Sequence, residues 1–303
     1  MKQRTNKAGL RGHALKRFGA ALTLFNLVGR ELLGFEESWF SALICILTGI
    51  LTEIILETID SKLNKRQNQL LIDPSETFYF LLPAYISCLS LSMLIYAGDL
   101  LLPFVFGSVI TISSKYIFRT KIAGRNRHFF NPSAFGICVS ITILSNTSAA
   151  PPYQYLENIG FRGEIILLCF MLFAGSFMNI MFTRRITVVL SWIFGFLCQA
   201  VLRSIFLGVD FYSTLLPITG IAFFLFSFYM IPDPGTSPSS SKYQALFGFS
   251  TAMVYGILQA LDIVYGIFYA LIFMGLVRAI IHQIIFLTKT KVEQESKTQM
   301  ELA

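Results

Sequence analysis

Apolar runs of membrane-spanning length follow one another through almost the whole chain, and Lys and Arg fall in alternate intervals between them. A bilayer core about 30 Å thick takes about 20 apolar residues of helix. Runs of that kind start near Phe18, Trp39, Thr77, Leu100, Pro132, Gly163, Ile186, Ser213, Ala245 and Val264. The expected fold is therefore all-α: a polytopic integral membrane protein of about ten transmembrane helices. A five-plus-five inverted repeat is compatible with that number. Only 14% of the residues are charged, against about 25% in an ordinary soluble domain. The intervals are too short for a separate soluble domain. They divide the chain into a basic tail over residues 1–17, one transmembrane domain over 18–288, and a polar tail over 289–303. Both tails are expected to be loosely ordered. The run over 18–35 holds Asn26, Arg30 and Glu31, so it reads either as a crossing or as an amphipathic interfacial helix. No small-x-small site follows it, which disfavours a signal peptide.

The charges orient the bundle. Lys2, Arg4, Lys7, Arg11, Lys16 and Arg17 precede the first run. The even-numbered turns carry Lys62, Lys65 and Arg66, then Arg119, Lys121, Arg125 and Arg127, then Arg184 and Arg185, then Lys242. Lys289, Lys291 and Lys297 follow the last run. The odd-numbered turns hold Glu36, Glu37, Asp99, Glu157, Asp210 and Asp262, with Arg162 the exception. The positive-inside bias places both termini in the cytoplasm and the protein in the cytoplasmic membrane. The net charge of +7 is spread over several short turns. It fits attraction to anionic lipid and gives no clustered face for nucleic acid. The expected partner is the lipid bilayer.

Five cysteines, Cys45, Cys88, Cys138, Cys169 and Cys198, all lie in apolar runs without metal-ligand spacing, and read as packed thiols. His13, His128 and His282 are far apart in sequence, so no metal site is expected. No phosphate-loop, dinucleotide or nucleophile-elbow signature stands out.

Two segments carry concentrated polar chemistry. The first runs from Gly124 through Arg125, Arg127, His128, Phe129, Phe130, Asn131, Pro132 and Ser133 to Gly136. Asn131 suits an N-cap, with Pro132 at the first helical position. The free N–H groups and dipole of that helix, beside Arg125 and Arg127, suit an anion such as a phosphate; a capped helix beside topology-setting arginines is the plainer reading. The second segment runs from Tyr229 through Pro232, Asp233, Pro234, Gly235, Thr236, Ser237 and Pro238 to Ser241. Its prolines end one helix and delay the next. The topology puts both segments on one face, where Asp233, Thr236 and Ser237 would complete a rim; a tight turn, with Asp233 capping a helix, is the alternative. Glu53, Glu57, Lys115, Arg203 and Arg278 are charges within or near the runs. Intramembrane charge points to function by default, although residues near an end can reach the interface instead. Asn179 and Gln199 are explained by interhelical hydrogen bonds.

Together, the stretches His128 to Gly136 and Tyr229 to Pro238 resemble the membrane subunits of the NqrB/RnfD type. The closer resemblance is to the UnbU family of membrane proteins associated with enediyne biosynthesis, and it covers most of the chain. Phe25-Asn26, Leu33 to Glu36, Leu81 to Ala84, Ala150 to Tyr153, Glu157-Asn158 and Leu202 to Ser204 carry it. The resemblance implies a bundle of about ten helices, a flavin- or quinone-linked electron-transfer role, and other membrane or redox subunits as partners. The Ser-Gly-Ala-Thr motif that carries covalent flavin in the NqrB/RnfD type is absent here. The resemblance then implies non-covalent FMN or riboflavin, with Arg125, Arg127, Asn131 and Ser133 placed to hold the phosphate of FMN. A secondary transporter or permease, using Glu53, Lys115 or Arg203, and a non-catalytic membrane assembly partner are the other readings.

Overall fold

The structure, a computed structural model, describes residues 2–31, 37–122, 125–150 and 160–302. Helices dominate it: α1 (Lys2–Glu31), α2 (Trp39–Leu63), α3 (Pro74–Leu94), α4 (Leu102–Ile117), α5 (Pro132–Ile143), α6 (Gly160–Phe177), α7 (Ile186–Leu207), α8 (Phe211–Leu215), α9 (Ile221–Leu225), α10 (Ser241–Ala260) and α11 (Gly266–Leu302). Two antiparallel ladders interrupt the all-helical pattern. One pairs β1 (Ile95–Tyr96) with β4 (Ser148–Ala149), and the other pairs β2 (Arg119–Ile122) with β3 (Arg125–His128).

Among the described residues, five helices are long and apolar enough to cross a membrane: Trp39–Leu63, Pro74–Leu94, Ile165–Thr183, Ile186–Leu207 and Gly266–Thr288. A sixth span forms if Phe211–Ile218 and Ala222–Met230, bent 66° apart, count as one. The apolar helices Leu102–Ile117 and Pro132–Ile143 are shorter. That is fewer than ten, because α1 and α10 are more polar than these five and α4 and α5 are shorter. At 1.5 Å rise per residue, the 12 residues of α5 extend only about 18 Å.

Two helices run further than the sequence patterning predicted. The basic tail continues as α1 from Lys2, and the polar C-terminal stretch continues as α11 to Leu302. Neither stretch contains Pro; the first is rich in Arg, Lys, Ala and Leu, the second in Lys, Glu and Gln. Extending an existing helix through such residues costs little, because nucleation is the expensive step.

On α2 the amphipathicity is reversed from that of a soluble helix. Its buried residues are Ser41, Ala42, Cys45, Gly49, Glu53, Glu57 and Ser61, spaced by helical turns, while Leu43, Leu47, Leu51, Ile55 and Ile59 are exposed. Exposed apolar side chains also cover α6, α7 and α11, among them Ile166, Phe173, Phe194, Phe206 and Ile284. A monomer in water rarely exposes so much contiguous apolar surface, and a lipid-facing belt accounts for it.

The interior is held by close helix approach at small residues, as in other membrane bundles. Helices α7 and α10 pack along Gly195 and Gly248. A Cβ added at Gly195 would stand 2.8 Å from Ala252 Cβ, and one at Gly248 would collide with the Val188 carbonyl oxygen and Ser191 Oγ. Helices α4 and α5 cross at Gly107 and Gly136, where an added Cβ at Gly136 would meet Thr111 and the Gly107 carbonyl. Cys45, Cys88 and Cys138 are buried free thiols as expected, but Cys169 is exposed and Cys198 partly so, because they lie on the outer faces of α6 and α7. Among the described residues, no cluster of His, Cys, Asp and Glu could hold a metal ion.

Candidate functional site

The fold joins the two polar segments. Asn131 caps α5: its Oδ1 accepts from the Ala134 N–H at 3.1 Å and from the Ser133 hydroxyl at 2.9 Å. The other end of its amide, Nδ2, donates to the Met230 carbonyl at 3.2 Å. One side chain thus satisfies a helix terminus and also bonds the chain entering the Pro232–Pro238 turn. Phe118, Phe129, Phe130 and Phe135 pack around the cap with ring centroids 4.4–6.1 Å apart. Gly275 of α11 lies against the Phe129 carbonyl. Asn131→Ala is expected to cost about 1–2 kcal/mol from the lost cap, and more from the carbonyl left unsatisfied. Unfolding of the purified protein in mixed detergent micelles measures this; an unchanged midpoint would show that the bridge carries no weight.

Asp233 organises its own turn rather than capping α10, whose N-cap is Ser240. Its carboxylate accepts from the Gly235 N–H and from the Thr236 hydroxyl, each at 3.0 Å. Its carbonyl accepts from Ser237 Oγ at 2.7 Å. The hydroxyls of Thr236 and Ser237 are therefore spent inside the turn, and both residues are buried. A Cβ at Gly235 would lie 3.2 Å from both His128 Nε2 and Asp233 Oδ2, so glycine there lets the turn approach β3.

Two arginines that the motifs did not include complete this end of the bundle. Arg185, buried at the start of α7, donates from Nε to Ser237 Oγ at 3.0 Å. Arg278 on α11 donates to the Thr236 carbonyl. Arg278 senses Arg185 and Arg127 as like charges and Asp233 as an opposite one. Burial lowers the pKa of Arg185 from its ordinary value, and the charge of Asp233 partly offsets the shift. Among the described residues no carboxylate lies within 4.0 Å of Arg185 or Arg278. A buried cation normally has such a partner. Arg127 is exposed on β3. The side chain of Arg125 lies outside the described residues, as do Glu36, Glu157 and the stretch from Pro151 to Asn158. In the sequence Arg185 is one of the topology-setting charges and Arg278 an isolated charge near a run; their convergence is a product of the packing.

Both chains entering this region are wound as π-helix, Met178–Thr183 and Phe226–Met230. The wider turns leave carbonyls unpaired, a feature common at functional sites. Asn179 satisfies them by donating to Gly175 O at 2.9 Å and Phe228 O at 2.8 Å, the interhelical bond expected of it. Gln199 differs: it donates within α7 to Phe196 O, and its Oε1 is buried without a partner.

The intramembrane candidates separate into two cases. Glu53 and Lys115, considered singly from the sequence, form one ion pair at 2.5 Å between α2 and α4. Tyr116 donates to the other Glu53 oxygen at 3.0 Å. One turn below, Glu57 takes both Arg66 terminal nitrogens at 2.6 Å, and Asp60 bonds Arg66 and Arg119. These hydrogen bonds, that of Glu57 first, raise the Arg66 pKa above its ordinary value. Three acids and three bases balance, which is the pattern of a structural network. Arg203 is the second case: its Nε is buried without a partner, near Tyr255 of α10.

The comparisons leave the chain without a family assignment: no protein-family model matches it, and no curated protein does either.

Proposed function

We propose that this chain is a ten-crossing protein of the cytoplasmic membrane, with both termini in the cytoplasm, that binds a phosphate-bearing flavin at its cytoplasmic rim and serves as a subunit of a membrane electron-transfer assembly. The observation that carries the site is the pair of arginines, Arg185 and Arg278, converging between the α5 entry and the Asp233 turn with no carboxylate within 4.0 Å among the described residues. A helix N-terminus capped by Asn131 and a cluster of guanidinium groups together favour a phosphate. The redox reading rests on the resemblance to the NqrB/RnfD and UnbU membrane proteins. Arg127, Arg185 and Arg278 would hold the phosphate; Asn131 and Asp233 would position the two backbones. Flavin, when bound, supplies one- and two-electron redox chemistry.

The remaining crossings belong to α1, α4, α5 and α10. Non-helical backbone at membrane depth is tolerated where protein encloses it. Helix α5 meets that condition, since nearly all residues from Phe130 to Ser140 are buried.

The test compares FMN with riboflavin by fluorescence quenching on the purified protein in nanodiscs. A charge-assisted hydrogen bond contributes about 1.5–3 kcal/mol, so FMN should bind at least about tenfold more tightly than riboflavin. Arg185→Met should remove that preference while leaving the melting temperature within a few degrees. Equal affinities, or no flavin binding, would refute the reading. Transport is the second reading, favoured by the 66° break between Ile218 and Ala222; discontinuous helices form the substrate sites of many secondary transporters.

A further inference from the structure

The opposite end of the bundle contains a cavity of about 550 Å³. Four parts of the fold border it: the β1–β4 ladder, the break before α9, the end of α10 and the start of α11. Its walls are Tyr96, Phe223, Tyr255, Tyr265 and Phe268, with Ala149 and Ala222 leaving the space between them. Among the described residues, no charged side chain lines it. The break exists because Pro217 and Gly220 lie between two short helices, and a straight helix there would fill the space.

We propose that this cavity is a binding site for a neutral, ring-sized apolar molecule bearing an acceptor oxygen. The volume lies within the usual range for small-molecule sites, which are mostly apolar with few polar groups. Aromatic walls without a charge select against ions and zwitterions, because a charge would be desolvated there without compensation. Tyr255 supplies the polar contact. It is buried, lines the cavity, and makes no hydrogen bond among the described residues. Gln259, at the wall, has its Nε2 donating to Ile263 O at 3.2 Å, which orients the amide. This site is independent of the cytoplasmic arginines and of the flavin reading.

Trp192 is a built-in reporter. It is fully buried, away from lipid, and its ring centroid lies 6.1 Å from Phe223 and 6.0 Å from Tyr255. In a Trp39→Phe background, titration with the quencher 4-bromoacetophenone in nanodiscs should give saturable loss of Trp192 fluorescence. Ala222→Phe, or Ala149→Leu from the opposite wall, should abolish saturation while the thermal transition persists. Tyr255→Phe keeps the shape and should weaken the apparent affinity about fivefold, the effect of one net hydrogen bond. Linear, unsaturable quenching in the parent protein overturns the proposal, as does saturable quenching that survives both filling variants. An unchanged affinity in Tyr255→Phe overturns the role given to its hydroxyl.

Discussion

Lys115→Met should destabilise the protein by about 3–5 kcal/mol, because it strands the Glu53 carboxylate in the bundle interior. Glu53 is 2% exposed and Lys115 11%, so water reaches neither well enough to replace the lost partner. The Tyr116 hydroxyl remains on one oxygen of Glu53 and cannot neutralise the charge. The double variant Glu53→Gln, Lys115→Met removes both charges and keeps a group that can accept from Tyr116. It should recover all but about 1 kcal/mol, since exchanging a whole buried pair for neutral groups is often close to neutral. Denaturant unfolding in mixed micelles reads both variants. A single variant as stable as the parent would show that Lys115 reaches water. A double variant no better than the single would show that the two sites are not coupled.

Gly248→Leu should separate α7 from α10, with a loss of at least about 3 kcal/mol. Overpacking a tight core costs about 1–3 kcal/mol where side chains can shift. Here the nearest obstruction is the Ser191 hydroxyl, and next to it the Val188 carbonyl oxygen, which cannot move without its helix. Trp192 is the next contact, at 3.0 Å from its backbone nitrogen, so its fluorescence should shift as the helices part. On the exposed side of the same helix, Ile257→Ala should stay within about 0.5 kcal/mol of the parent in detergent. Equal stability of Gly248→Leu and the parent would contradict the close approach.

The difference between these two sites marks where local pattern stops. Helix starts at Asp73-Pro74 and Asn131-Pro132 are legible from residue type alone, and the structure has both: Asp73 accepts from Ser75 N at 3.2 Å, and Asn131 accepts from Ala134 N at 3.1 Å. Such caps are contacts between near neighbours, and sequence spacing determines them. Extent was less legible: α1 and α11 continue into polar stretches, because propensity carries a helix beyond the end of its apolar run. The ribbon of β2 and β3 was not anticipated, since Arg119 to His128 reads as a charged loop and lacks an apolar alternation.

By itself the sequence determined an all-helical chain with apolar surfaces, its helix entries, and the separation of basic from acidic turns, because each depends on composition or on spacing within a few residues. Only the tertiary structure decided which charges meet. Lys115 and Glu53 are 62 positions apart and neutralise one another. Arg185 and Arg278 approach the same turn from separate helices, with no carboxylate within 4.0 Å among the described residues. The bend at Pro217 to Gly220 borders a cavity only together with three other parts of the fold. Long-range pairing depends on how helices cross, and crossing depends on small residues such as Gly107, Gly136, Gly195 and Gly248, whose importance lies in what stands opposite them.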